Sequence, residues 1–284
     1  MWNRETRTAG DSVGLRRHVA RCAIIGALFL IASGRDSAAD VSIAPALVEV
    51  NLNQGHPAGQ FVISNLGDAE VRYRIKATHF TFLPNGSLRE IAPDEHSLAQ
   101  WVRFNPTEFT LGPKTRRTIR FVVVPRGPLR AGEYWAAMQL ESLDTTLAET
   151  KDPAGRQLQL EIKANILAPM FGTFGIVRYG GLVKDARLVG AKGAGQSVQF
   201  LFGNTGDGRF PVTAEYEISN SKGETVEKGS IPALPILPHA DRILTAALKN
   251  TLPAGTYRVR IQCRSSKLKG TIENQFDLVL KPSS

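Results

Sequence analysis

Gln157–Leu167 reads QLQLEIKANIL. Leu158, Leu160, Ile162, Ala164 and Ile166 alternate with Gln157, Gln159, Glu161, Lys163 and Asn165. A period of two sends successive side chains to opposite faces, so the stretch predicts one β-strand with an apolar face and a polar face. A polar segment, Asp144–Arg156, reads as a loop before it, and Pro169 and Gly172 predict a break after it. The strand therefore closes one unit and leads into another. At a sheet edge it could lend its backbone and its apolar row to a second polypeptide. The same alternation is also what a half-buried strand inside its own sheet shows, and the function of the chain turns on which of these holds.

Outward from this strand, the chain keeps the same grammar. Short alternating segments at Val41–Leu52, Gln60–Ser64, Glu70–Phe82, Trp101–Phe109, Arg117–Val124 and Glu133–Leu140 are punctuated by Gly, Pro, Asn and Asp. Pro45 interrupts the first, which suits an edge or a strand that changes sheets. The second half repeats three marks in the same order. QFVIS before Asn65-Leu66-Gly67-Asp68 matches QFLF before Asn204-Thr205-Gly206-Asp207. Leu111-Gly112-Pro113 matches Leu237-Pro238, and Ala131-Gly132-Glu133-Tyr134 matches Ala254-Gly255-Thr256-Tyr257. The polar Leu83–Gln100 segment accounts for the longer spacing in the first half and reads as an insertion, a hairpin tip or loop. The expectation is an all-β chain of two tandem immunoglobulin-like β-sandwich domains after an N-terminal signal peptide. The segments are residues 1–39, 40–170 and 171–284, with the boundary near Met170–Gly175. Tyr134 and Tyr257 are placed either as sandwich-corner tyrosines or as plain core aromatics.

The leader follows from composition. Arg16, Arg17 and Arg21 precede an apolar run, Cys22–Gly34, and Ser37 and Ala39 are small residues ahead of a cut before Asp40. The run has 13 residues, short of the roughly 20 that a spanning helix needs, so a cleaved export signal is expected, with a retained anchor as the other reading. The full chain of 284 residues carries a formal charge of +9. Residues 1–39 hold six basic and three acidic side chains, so removing them leaves +9 − 3 = +6. With basic residues scattered through strands, and no aromatics at stacking spacing, nucleic acid is not expected as a partner. The remaining cysteine, Cys263, sits in an alternating strand and reads as a buried thiol. The mature chain then has no intrachain disulfide and must fold on core burial alone.

Chemistry is sparse. No Gly-x-Ser-x-Gly occurs, and Gly193-Ala194-Gly195 lacks the rest of a nucleotide fingerprint. Asp94-Glu95-His96 is the only acid/His cluster and reads as a solvated loop rather than a metal site, which needs three or four placed ligands. No cofactor, no metal and no catalysis are expected. What remains is binding.

Three stretches carry a resemblance: Val41-Ser42-Ile43, QFVISNLGD, and WVRFNPTEFTLGPKTRRTIRFVVVP, followed by GEYWAAMQLES. Together they resemble the first domain of the periplasmic pilus-assembly chaperones, the PapD-like family, over about residues 40–170. The resemblance implies a periplasmic chaperone that caps exported pilus, fimbrial or coat subunits lacking a final strand. The donated row would be Leu158, Leu160, Ile162, Ala164 and Ile166, with no membrane insertion once the signal is removed. Self-association through the free strand edge would hide that row. The family's carboxylate grip uses an Arg in the first strand and a Lys in the donor strand. Here Leu47 stands near the first position and Ala164 near the second, which leaves Lys163, one residue away, as the anchor candidate. One residue turns a side chain to the opposite face. The alternative reading is a structural or adhesive envelope module of two immunoglobulin-like domains.

Overall fold

The computed structural model describes residues 41–151, 155–191 and 195–280. The signal-peptide reading of residues 1–39, with its cut before Asp40, lies outside them. The described residues form two β-sandwiches with no α-helix, so the all-β expectation holds. The first comprises β1 (Val41–Ala44), β2 (Val48–Asn51), β3 (Ala58–Asn65), β4 (Val71–Phe82), β5 (Leu88–Ile91), β6 (Val102–Asn105), β7 (Glu108–Leu111), β8 (Arg116–Val123) and β9 (Gly132–Ser142). A hairpin of β10 (Thr146–Lys151) and β11 (Gln157–Ile162) then leads into β12 (Asn165–Phe174). The second comprises β13 (Gly181–Ala191), β14 (Gly195–Asn204), β15 (Phe210–Ser219), β16 (Thr225–Ile236), β17 (Asp241–Ala247), β18 (Gly255–Arg264) and β19 (Ile272–Leu280).

In the first sandwich a sheet ordered β1-β3-β8-β6 packs on one ordered β2-β12-β9-β4-β5, with β7 also on β4. The chain changes sheets at Pro45: β1 pairs with β3, and β2 pairs in parallel with β12. Alternation decides the core. Phe61 and Ile63 of β3, and Ile119, Phe121 and Val123 of β8, point inward against Tyr134, Ala136, Met138 and Leu140 of β9. The second sandwich pairs β13-β14-β17 with β16-β15-β18-β19 around Phe200, Phe202, Phe210, Val259 and Ile261. Cys263 is buried there, and burial pushes its thiol up to about 12, so it is an inert core residue, as expected.

The repeated marks are repeated structures. The Asn65 side chain accepts from Gly67 N (2.9 Å) and donates to Leu111 O (3.1 Å); Asn204 accepts from Gly206 N (2.8 Å) and donates to Ile236 O (3.0 Å). Both tyrosines close corners: Tyr134 Oη donates to Arg130 O at 3.0 Å and Tyr257 Oη to Pro253 O at 2.7 Å.

Five local expectations are corrected. Gln157–Leu167 is not one strand, because the ladder breaks at Lys163–Ala164. Opposite that break the chain turns aside to cap β4: Leu143 N donates to Arg72 O (2.8 Å), and Asp144 Oδ2 accepts from Arg72 N (2.6 Å). No break occurs at Pro169 and Gly172. Pro169 lies where β12 has β9 on one side and no strand on the other, so its missing N–H costs nothing there. The polar Asp144–Arg156 segment contains β10, which pairs with β11 from Thr146↔Ile162 to Lys151↔Gln157. Trp101–Phe109 is two strands, divided at Pro106, and the Leu83–Gln100 insertion contains β5.

Candidate functional site: an open strand edge beside a closed junction

The edge comes from pairing. β12 is bonded to β9 along its whole length, from Asn165↔Glu141 to Phe174↔Gly132. On its other side β2 pairs only with Met170–Thr173. β11 has β10 on one side and, among the described residues, no strand on the other. One edge therefore stays unpaired from Gln157 to Pro169. Leu158, Leu160 and Ile162 lie on β11 opposite Thr150, Ala148 and Thr146. Lys163 is exposed in the break, and Ala164 is half-buried with its carbonyl accepting from Ser142 N (2.8 Å). Ile166 stands opposite Leu140 and packs on the first core.

The other face of the same sheet is covered. β9 is buried on both faces from Gly132 to Leu140. Its inward residues fill the first core, while Trp135 and Ala137 point outward and pack with Phe80, Phe171 and Leu237, with Leu167 and Ala240 at the rim. Leu237 and Ala240 come from the β16–β17 turn of the second sandwich. Trp135 Nε1 donates to Phe80 O at 2.7 Å, which satisfies the one polar atom the indole buries. The insertion reaches across as well: Ile243 N donates to Pro84 O at 2.8 Å, and the Arg242 guanidinium lies 5.9 Å from the Phe82 ring centroid.

Glu133 is the polar centre of this junction. Its backbone N donates to Asp207 O (2.8 Å), its Oε2 accepts from Arg209 N (2.7 Å), and its Oε1 lies 3.3 Å from Arg209 Nε. Arg209 also pairs with Glu49 of β2, and its guanidinium stacks 3.7 Å from the Phe171 ring centroid. Burial pushes the Glu133 carboxyl up to about 7; Glu49 adds to the rise, while Arg209 and Lys267 oppose it. Beside it lies a cleft of about 430 Å³, lined by Glu49, Glu133, Arg209, Lys267 and Tyr179 among others. Its two cations belong to the second sandwich, and Lys163 and Leu47 are not among its lining residues.

Asp94-Glu95-His96 is not a free solvated loop. Asp94 Oδ1 accepts from His96 N (2.9 Å) and lies 3.1 Å from Nε2 of buried His79, whose Nδ1 sits 3.1 Å from Trp135 O. His96 stacks on Trp135 and reaches His239 of the second sandwich, 6.1 Å between ring centroids. The cluster thus docks the insertion onto the junction. Among the described residues no three of His, Cys, Asp and Glu are grouped to hold a metal ion. No described helix is long and apolar enough to cross a membrane.

The chain is thus an all-β protein of two sandwiches with a covered sheet face and an open strand edge. Its fold is similar to those of fimbrial chaperones. The class 5 fimbriae chaperone CfaA is 12% identical and matches 85% of this chain and 99% of its own, with a TM-score of 0.43. The YadV chaperone is 15% identical over 84% of this chain and 100% of its own, with a TM-score of 0.41. The CsuC–CsuE chaperone–tip subunit pre-assembly complex from archaic chaperone-usher Csu pili of Acinetobacter baumannii gives 11% identity, 84% and 97% coverage, and a TM-score of 0.40. No family model and no curated protein sequence matches the chain. Function is therefore argued from the chain's own geometry.

Proposed function

We propose that the chain is a periplasmic, non-enzymatic chaperone that captures exported pilus, fimbrial or coat subunits by adding its own strand to theirs. The observation that carries this reading is the unpaired edge from Gln157 to Pro169. An added strand gains main-chain hydrogen bonds along such an edge, and alternate side chains supply the fit. The row is Leu158, Leu160, Ile162, Ala164 and Ile166. Since Ile166 already packs on the first core, selectivity falls chiefly on Leu158, Leu160 and Ile162. Lys163, exposed in the break, is the proposed anchor for a subunit carboxylate. The proposal includes the division into two domains near Met170–Gly175. Core residues of the first sandwich run to Met170, with Phe174 packed on them, and those of the second start at Val183, with Tyr179 packed on them.

The test is co-expression of the exported chain with a fimbrial-type subunit that lacks its last strand. The expected result is a one-to-one complex. Leu160→Asp with Ile162→Asp abolishes it while the thermal midpoint of the chaperone stays within about 2 °C, as strand donation requires of side chains reserved for the subunit rather than for the chaperone's own core. Equal capture by the variant, or its unfolding, overturns strand donation and leaves β11 as ordinary sheet.

A further inference from the structure

The outer face of the β1-β3-β8-β6 sheet differs from the charged β15-β18-β19 face of the second sandwich. Ile119, Phe121 and Val123 of β8 point into the core, so alternation sends Arg116, Thr118, Arg120 and Val122 outward. In the flanking strands Val62 stands opposite Thr118, and Arg103 stands opposite Val122. No acidic residue occurs in any of the four strands. Arg103 is held in place by donating to Gln100 O (2.8 Å) and Val102 O (2.9 Å). None of the ion pairs among the described residues uses Arg103, Arg116 or Arg120.

The β15-β18-β19 face of the second sandwich is the internal control. There each outward arginine faces an acid on the next strand: Arg258 with Asp277 (3.0 Å), Arg260 with Glu273 (2.5 Å) and Arg264 with Glu215 (3.0 Å). On the first face Arg103 stands diagonal to Arg120 across the β6–β8 pair, and no acid in these strands offsets either charge. Its chemistry also points to one kind of partner. The cations are arginines, with Val62, Thr118 and Val122 between them. Arginine is enriched and lysine depleted at protein interfaces, and its planar fork matches carboxylates in pairs. The phenylalanines of these strands, Phe61, Phe104 and Phe121, pack on the core, so the outward positions offer no stacking aromatic for nucleic acid, and the four strands hold no lysine cluster for an anionic leaflet.

We propose that this arginine face docks the acidic surface of a second protein, at a site separate from the open strand edge and independent of the chaperone reading. The test compares three forms of the signal-free protein on immobilised poly-L-glutamate at low salt: the wild type, R103Q/R116Q/R120Q, and R258Q/R260Q/R264Q. Both triple variants lose the same net charge. The expected result is at least about tenfold weaker binding for the first triple, equivalent to about 1.4 kcal/mol, and a change within about twofold for the second. Equal losses overturn the proposal, because net charge then suffices, and so does no loss in either. Binding of the wild type to phosphatidylglycerol vesicles but not to polyglutamate, lost in the first triple, would assign the face to lipid and likewise overturn it. Single variants Arg116→Gln and Arg120→Gln, each at an exposed position, give the same ranking if the first triple is unstable.

Discussion

The two Asn-x-Gly-Asp turns are built alike and used differently. At Asn65–Asp68 the turn faces solvent, with Leu66 half exposed and Asp68 paired with Lys114. At Asn204–Asp207 the same internal hydrogen bonds support a crowded turn. Thr205 N donates to Gly180 O, Asp207 N donates to Arg178 O, and Asp207 O accepts from Glu133 N. Gly206 leaves no space for a Cβ, which would lie 2.5 Å from Arg178 O. One local device thus ends a sandwich at one place and joins two sandwiches at the other. The difference lies in what surrounds the turn, and it predicts that perturbations on the junction side act on both sandwiches.

The largest expected effect is at Trp135, which the junction buries. Trp135→Ala should cost about 3–5 kcal/mol, as large core truncations do. It should also split one denaturation transition into two, because Phe80, Phe171 and Leu237 lose their common neighbour. A single transition shifted by less than about 1 kcal/mol would show that the covered face does not couple the sandwiches.

Glu133 comes next and gives the junction a pH dependence. Its folded value, about 7, lies above its ordinary 4.5. The folded state thus favours the neutral acid, and the associated stability is full below pH 4.5 and lost as pH rises to about 7. At about 1.36 kcal/mol per unit, the upper bound is on the order of 3 kcal/mol. Denaturation midpoints between pH 4 and 8 should fall through that window in the wild type, and Glu133→Gln should flatten the slope. An unchanged slope in the variant would assign the pH response to other groups.

These residues also show what the sequence made legible. The Asn-x-Gly-Asp turns, the tyrosine corners and strands such as β3 and β8 are local patterns, and each formed where its pattern stood, whereas the alternating stretches at 101–109 and 157–167 each divided into two strands. The break at Lys163–Ala164 was not legible, because its cause is remote: Arg72 draws Leu143 and Asp144 away from the ladder. Alternation also carried no sign of the second strand, β10, inside a segment of Thr, Glu and Lys. Of the site, the apolar row was readable, but its open edge depends on where β2 stops pairing. The junction did leave one sign. GEYWAAMQL lacks the polar alternation of a half-solvated strand, as expected of one buried on both faces. Nothing in sequence linked Glu133 to Arg209, which lie on different sandwiches, 76 residues apart.

The asparagines sharpen the comparison within a narrower range. Each amide satisfies two or more backbone groups, so Asn65→Ala and Asn204→Ala should each cost roughly 2 kcal/mol through the groups left unpaired. Only Asn204→Ala should also weaken the Glu133 pH response, since it releases the segment that carries Asp207 and Arg209. The smallest effects belong to the last residue of each turn. Asp207 is largely buried, bonded to Arg178 at 2.8 Å, and lies 3.6 Å from His239. Asp68 is almost fully exposed beside Lys114, where an ion pair contributes little. Asp207→Asn should lower stability by about 1 kcal/mol, and Asp68→Asn should leave the denaturation midpoint unchanged. Equal responses at the two aspartates would mean that the junction adds nothing to the turn, and that the second sandwich folds without reading the first.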